Sequence, residues 1–146
     1  MMFMHPPYTF SKYERLCRKS IIDKLFEKGN RSLVRFPFRF IYVNAPIEGP
    51  FPIQALITVS RKSFPKSTQR NRIKRQLREL YRMHKHILYQ ALEGNQHRFA
   101  LMLAYQGKTE LDYQRHLQVF KQSIIQLSNE LAKTNTTSVS ASNQVL

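Results

Sequence analysis

The chain has 146 residues, with 24 Lys and Arg against nine Asp and Glu and a net charge of +15. This length suits a single domain, and a hydrophobic fraction of 42% can fill a core, so the charge does not indicate wholesale disorder. One cysteine excludes an intramolecular disulfide and a multi-cysteine zinc site, and no window has the roughly 20 apolar residues of a membrane span, so we expect a cytoplasmic protein without a membrane partner.

The predicted elements begin after a flexible leader over residues 1–9. Ser11 and Glu14 have the spacing of a capping box, which indicates a turn or a short helix at this point. Apolar residues then recur at helical spacing and predict a helix over 19–28, ended by a Gly-Asn pair. The N-terminal part of the chain is therefore predicted to be helical.

Three strands are predicted next, over 31–35, 38–44 and 53–60. Pro37 cannot donate a hydrogen bond to a sheet, so it separates the first two strands. Aromatic residues in this region alternate with a period of two and so share one face of the sheet. That face is either core or a platform on which unpaired bases stack. Its members are Phe36, Phe38, Phe40 and Tyr42.

A helix is predicted over 67–92, and the segment 61–86, which includes most of it, carries most of the excess charge. Residues 61–86 hold ten Lys and Arg against a single acid, Glu79. An apolar stripe that includes Ile73 and Leu77 runs beside these cations at helical spacing. A disordered basic tail has no reason to keep such a stripe. The pattern therefore indicates a folded helix that presents cations to a polyanion, which is typical of nucleic-acid binders.

The rest of the chain supplies one strand and one helix. Residues 98–105 are predicted to be a buried strand, and 110–131 an amphipathic helix. The Ser, Thr and Asn content of 133–146 predicts a disordered tail. The folded domain is thus expected over 1–132. Its element order, α-β-β-β-α-β-α, predicts an α+β two-layer sandwich with a mixed four-stranded sheet.

The sequence contains no evident catalytic centre or metal site. His84 and His86 stand two apart on a helix and point in different directions. The other histidines have no carboxylate or cysteine at ligand spacing, and the four glycines form no phosphate-binding loop. We therefore expect no catalytic residue, no metal ligand and no cofactor bound by the protein alone.

Three classes of binding protein could use a basic helix. A DNA-binding helix-turn-helix protein needs a second helix just before it, whereas here a β-branched strand and a Pro turn precede it, so we expect no DNA partner. A membrane-surface helix needs no sheet, and the predicted strands disfavour it. A structural RNA-binding protein of ribosomal type stays open, because composition does not separate it from other RNA binders.

Two adjacent segments resemble the signature of the bacterial ribonuclease P protein component. The first is Val-Ser-Arg-Lys at 59–62, and the second is Arg-Asn-Arg-Ile-Lys-Arg-Gln-Leu-Arg-Glu at 70–79. They stand in the strand–turn–helix context of that signature. The order of the other elements is also similar to that family over about residues 10–130.

The resemblance implies a division of labour between a protein and an RNA. In that family a small protein assists a large catalytic RNA, and together they remove the 5′ leader from precursor tRNA. The RNA would bind Mg²⁺ and hydrolyse the phosphodiester, so the enzyme is a ribonucleoprotein endoribonuclease. The resemblance further implies a left-handed β-α-β crossover, and we expect a monomer outside the complex.

The resemblance also implies two RNA-contacting surfaces, one on the signature helix and one in a cleft between the first helix and the sheet. The cleft would hold the single-stranded leader. Residue 22 is commonly Phe in the family and is Ile in this chain. The residues expected to contact RNA are Arg61, Lys62, Arg70, Asn71, Arg72, Lys74, Arg75, Arg78 and Arg82. Those expected to line the leader cleft are Ile22, Phe26, Phe38, Phe40 and Tyr42.

Overall fold

The computed structural model describes the backbone of residues 9–145 and the side chains of residues 9–133, so residues 1–8 of the predicted leader lie outside the described residues. The elements follow one another in the predicted order. They are a 3₁₀ helix at Lys12–Glu14, α1 at Lys19–Leu25, β1 at Arg31–Arg35, β2 at Phe38–Asn44, β3 at Ile53–Val59, α2 at Ser67–Ala91, β4 at Phe99–Tyr105 and α3 at Tyr113–Val145.

Two helix boundaries differ from the prediction. The first helix ends at Leu25, and the turn after it passes through Gly29, whose φ of +91° is left-handed and favours glycine. The last helix begins at Tyr113 because the Asp112 carboxylate accepts a hydrogen bond from the Arg115 backbone N–H at 3.2 Å and caps the first turn.

The C-terminal helix α3 is also longer than predicted. It continues past residue 131 to Val145, since neither Gly nor Pro interrupts the chain there. Its last described buried residue is Leu131. The side chains after residue 133 lie outside the described residues, and the disordered tail predicted from composition over 133–146 stays a prediction.

The strands form the predicted mixed four-stranded sheet, in the order β1-β2-β4-β3. Strands β1 and β2 and strands β2 and β4 are antiparallel, whereas β3 and β4 are parallel. Parallel neighbours need a long crossover, and α2 provides it. The left-handed sense of that crossover, which the family resemblance implies, stays a prediction.

One face of the sheet, the inner face, packs against α2 and α3. The aromatic residues of β2 point to this side, and Phe38, Phe40 and Tyr42 are 0%, 0% and 2% exposed. Phe120 of α3 contacts the first two of these rings, with centroids 5.0 and 5.9 Å apart. The predicted apolar stripe of α2 is confirmed as the other wall of this core. Its buried members include Ile73, Leu77, Leu80 and Leu88.

The other face of the sheet, the outer face, is covered only in part by α1. This helix has seven residues, and its Ile21 and Leu25 belong to an apolar cluster with Ala100 and Met102 of β4. A helix of this length spans only about 10 Å, less than the strands beneath it. One row of the sheet therefore stays outside the cluster. In register across the four strands, that row is Val34, Arg39, Ala104 and Thr58.

A buried ion pair fastens the N-terminal segment to α2. Glu14 and Lys85 contact each other with side chains that are 0% and 3% exposed, and the Tyr89 hydroxyl donates to the same carboxylate at 2.7 Å. Lys85 also donates to the backbone carbonyl of Thr9. Burial lowers the pKa of Lys85, an effect that the nearby Glu14 opposes. Although Lys85 belongs to the cationic stretch in sequence, it is therefore an internal residue.

We expect the largest loss of stability when only one partner of this ion pair is removed. Replacing Lys85 by Met leaves a buried carboxylate without its cation, which should lower the free energy of unfolding by about 3–5 kcal/mol. Adding Glu14→Gln removes the unpaired charge and should restore much of the loss. Arg82→Met, in the preceding turn of the same helix, is the matched control and should change stability little. Urea unfolding followed by circular dichroism measures all three, and equal losses for the Lys85 and Arg82 variants would contradict this interpretation.

Candidate RNA interface

The cationic face of α2 points away from the core. Its apolar stripe turns toward the sheet, so the residues between the stripe positions face outward. Asn71, Arg75, Arg78 and Arg82 follow one another at spacings of three or four and lie along one line of the helix. All but Arg82, which is half-buried, are exposed. The structure therefore brings these four predicted residues onto one surface.

The turn between β3 and α2 extends this surface. Arg61 and Lys62 are exposed and come directly after the strand. The hydroxyl of Ser60 accepts hydrogen bonds from the backbone N–H groups of Lys62 and Ser63 at 3.1 and 3.3 Å, which fixes the path of the turn. The two cations are thus held beside the first turns of the helix.

Arg70 differs from the other predicted RNA contacts because its guanidinium bonds inside the protein. Its Nη1 donates to the backbone carbonyls of Phe64 and Pro65 at 2.9 and 2.8 Å, and the side chain is half-buried. These bonds tie the start of α2 to the turn that carries Arg61 and Lys62. The geometry gives Arg70 a positioning role, and its direct contact with RNA stays a prediction.

Two cations of the surface are paired with acids. Arg72 lies 3.2 Å from Glu110, and Arg82 lies 2.5 Å from Glu79. The hydrogen bond from Arg82 lowers the pKa of Glu79. Ion pairs this exposed are weak, so both arginines can exchange their acid for a phosphate. Lys74, which is half-buried, completes the set.

A groove separates α1 from the open part of the outer face. Phe26 stands at its rim and is 65% exposed, while Arg39 and Ile41 of β2 form its floor. Ile22 packs at half burial against the apolar cluster beneath α1. The remaining lining residues are Leu25, Glu27, Lys28, Gly29, Asn30 and Ser32.

The prediction that Phe38, Phe40 and Tyr42 line a leader cleft is wrong. All three are buried on the inner face of the sheet, between β2 and the long helices. A strand turns successive side chains to opposite faces, and the apolar stripes of α2 and α3 need bulky partners. Burial raises the pKa of Tyr42, whose hydroxyl donates to Glu130 at 3.4 Å. Of the two interpretations that the sequence allowed for these aromatics, the core interpretation is correct.

Sequence reasoning missed Arg39 and Ile41 as residues of the groove. The signal was the same period of two: if the aromatics at even positions are core, the odd positions of β2 face the opposite side. The sequence did not reveal which set would face the groove, because that depends on where α1 packs.

The described residues offer no protein site for a metal ion. Within residues 9–133, no three His, Cys, Asp or Glu side chains come together as a possible ligand set. The single cysteine, Cys17, is exposed. In the same part of the chain, no helix has the length and apolar character that crossing a membrane requires.

Comparison with known proteins identifies the family. Residues 10–129 match the sequence model of the family described as Ribonuclease P. The chain belongs to the ribonuclease P protein family. Two relatives are each called ribonuclease P protein component. One, from Chlorobaculum tepidum, is 34% identical over 125 residues and covers 80% of this chain and 81% of its own. Another, from Porphyromonas gingivalis, is 36% identical over 95 residues and covers 64% and 69%.

Solved structures of ribonuclease P proteins share the fold. The protein from Thermotoga maritima is 22% identical and superposes with a TM-score of 0.58 over 77% of this chain and 96% of its own. The protein from Staphylococcus aureus is 18% identical, with a TM-score of 0.55 over 84% and 97%. The α+β architecture predicted from the sequence is therefore the architecture of this family.

We expect Arg72 and Arg75 to bind RNA through the negative charge of its phosphates. Replacing both by Gln should weaken binding to a bacterial ribonuclease P RNA and reduce the slope of log K against log salt by up to roughly two units, since each lost phosphate contact removes about one. Filter binding at several salt concentrations measures the slope. Lys19→Gln with Lys24→Gln is the matched control, because these two exposed cations lie on α1, across the sheet. An unchanged slope for the α2 variant would show that this helix is not the RNA face.

Proposed function

We propose that the protein is the protein subunit of a bacterial ribonuclease P that removes 5′ leaders from precursor tRNA. A single observation carries the proposal. Helix α2 packs one face against the core and presents a line of exposed cations on its opposite face. Membership of the ribonuclease P family supports a folded RNA as the partner of this line.

The surface of α2 would bind the catalytic RNA. Its exposed arginines can each grip a phosphate with two parallel hydrogen bonds, which lysine cannot do. Asn71 lines a shallow groove of the same surface together with Arg72 and Arg75, where it can donate to a phosphate or a ribose. A rigid helix of 25 residues holds these groups at fixed spacing. The surface is therefore suited to a structured RNA more than to a flexible one.

The groove beside α1 would bind the leader. It is open to solvent, and its rim carries an exposed aromatic ring, Phe26, on which an unpaired base can stack. Ile41 supplies apolar surface within the groove, whereas Ile22 packs against the apolar cluster beneath α1. Because Phe38, Phe40 and Tyr42 are buried, we assign the leader to this groove and not to the aromatic face of β2.

The chemistry would belong to the RNA. The described residues offer no metal ligand set, so Mg²⁺ would be held by RNA oxygens, and the protein would bind and orient the two RNAs. A cytoplasmic location and a monomeric state outside the complex are part of this proposal.

Reconstitution tests the proposal. The protein, a bacterial ribonuclease P RNA and a precursor tRNA are combined at low Mg²⁺, and release of the leader is followed by gel electrophoresis. We expect the protein to stimulate cleavage by the RNA and to be inactive alone. Failure to stimulate, with RNA binding intact, would favour a structural RNA-binding protein of ribosomal type.

Variants of two exposed phenylalanines distinguish leader binding from general RNA binding. Phe26 and Phe36 are 65% and 66% exposed, but only Phe26 lines the groove. Phe26→Ala should weaken binding of precursor tRNA by about fivefold or more, since stacking of one base contributes about 1–3 kcal/mol, and should leave binding of leaderless tRNA unchanged. Phe36→Ala is the matched control and should change neither.

A further inference from the structure

We propose that Arg39 selects a guanine at one position of the leader. This inference rests on the proposed function, because it requires the groove beside α1 to hold the leader. Arg39 lies on β2 and lines the floor of that groove. Its role would be to determine sequence preference in addition to affinity.

The position of Arg39 is unusual for an arginine. It faces outward from the second strand of a four-stranded sheet, in register with Val34 of β1 on one side and Ala104 of β4 on the other. Its side chain is half-buried. Ala104 has a small side chain, and Val34 is 57% exposed. The charge thus stands between Val34 and Ala104 in the row that α1 leaves open.

The guanidinium of Arg39 also contains a buried hydrogen-bond donor that has no acceptor in the described part of the chain. Its Nε atom is buried and has no hydrogen-bond acceptor among the residues that the structure describes. A buried donor without an acceptor is costly, and buried arginines in folded proteins are nearly always hydrogen-bonded. By contrast, Arg70, which is also half-buried, donates to two carbonyls. No hydrogen bond to the described residues holds this guanidinium in place, so its outer Nη groups can turn toward an acceptor that a ligand brings into the groove.

The surroundings favour a base over a phosphate as that acceptor. A phosphate is strongly hydrated, and the chain already presents exposed arginines for phosphates on α2. At the floor of the groove, Ile41 and the Phe26 ring offer apolar contact that suits the face of a base. Glu27 and Lys28 also line the groove and carry opposite charges, so these two residues together add no net attraction for a phosphate. A base stacked near Phe26 can turn its edge toward the guanidinium.

Guanine is the base that best matches this donor. The arginine fork donates two parallel hydrogen bonds, and guanine offers O6 and N7 side by side as two acceptors. In an unpaired leader this edge is free. Adenine places a donor beside N7 and so loses one of the two bonds.

Selection from a mixture of leaders tests the inference. The protein, assembled with a bacterial ribonuclease P RNA, binds precursor tRNAs whose leader is randomised, and the bound fraction is sequenced. We expect about tenfold enrichment of guanine at one leader position, since a two-bond contact discriminates by roughly this factor. Arg39→Gln and Arg39→Lys should both abolish the enrichment. The lysine variant keeps the charge and most of the length of the side chain, which protects the fold.

Lys24→Gln is the matched control, because Lys24 is an exposed cation on the neighbouring helix α1 and does not line the groove. It should keep the guanine preference. Three results would overturn the inference: no guanine preference in the unmodified protein, a preference that survives Arg39→Lys, or an equal loss for all leaders with a salt slope lower by about one, which marks a phosphate contact. A protein that does not distinguish precursor from leaderless tRNA would refute the proposed function itself.

Discussion

The sheet has two apolar faces, and the rest of the structure depends on how each is covered. β4 is buried at six of its seven positions, so both of its sides need a layer of helix. The long helices α2 and α3 cover most of the inner face. The outer face receives α1, whose seven residues are too few to span it, together with Leu16, Ala45 and Ile47 from the flanking segments. A groove at the outer face and a polar outer side of α2 both follow from this unequal coverage.

The same constraint separates the two surfaces that we assign to RNA. The cations of α2 lie on the far side of the inner layer, while the groove lies across the sheet beside α1. One protein can therefore contact a structured RNA and an unpaired strand at once without competition between them. The ion pair of Glu14 and Lys85 connects the two sides, because it joins the segment before α1 to the inner helix α2. It fixes the N-terminal segment relative to the helix that carries the cations.

Much of this arrangement follows from periodicity in the sequence. The strands match their predicted ranges closely, and the stripe through Ile73 and Leu77 located the buried side of α2. Periodicity divides a strand into two faces but does not say which face a neighbouring helix covers, so the aromatics of β2 were assigned to the wrong side. Charge patterning likewise counted Lys85 with the surface cations, because its partner Glu14 is 71 residues away in sequence. Such pairings depend on tertiary packing, which local sequence does not encode.

Site-specific crosslinking measures most directly whether the two faces hold different RNAs. With Cys17→Ser removing the only cysteine, a photoreactive group is attached through Lys28→Cys in the groove or through Arg78→Cys on α2. In the complex with a bacterial ribonuclease P RNA and precursor tRNA, we predict that the groove probe labels leader nucleotides and the α2 probe labels the catalytic RNA. Leader labelling from α2, with none from the groove, would contradict the assignment of the two faces.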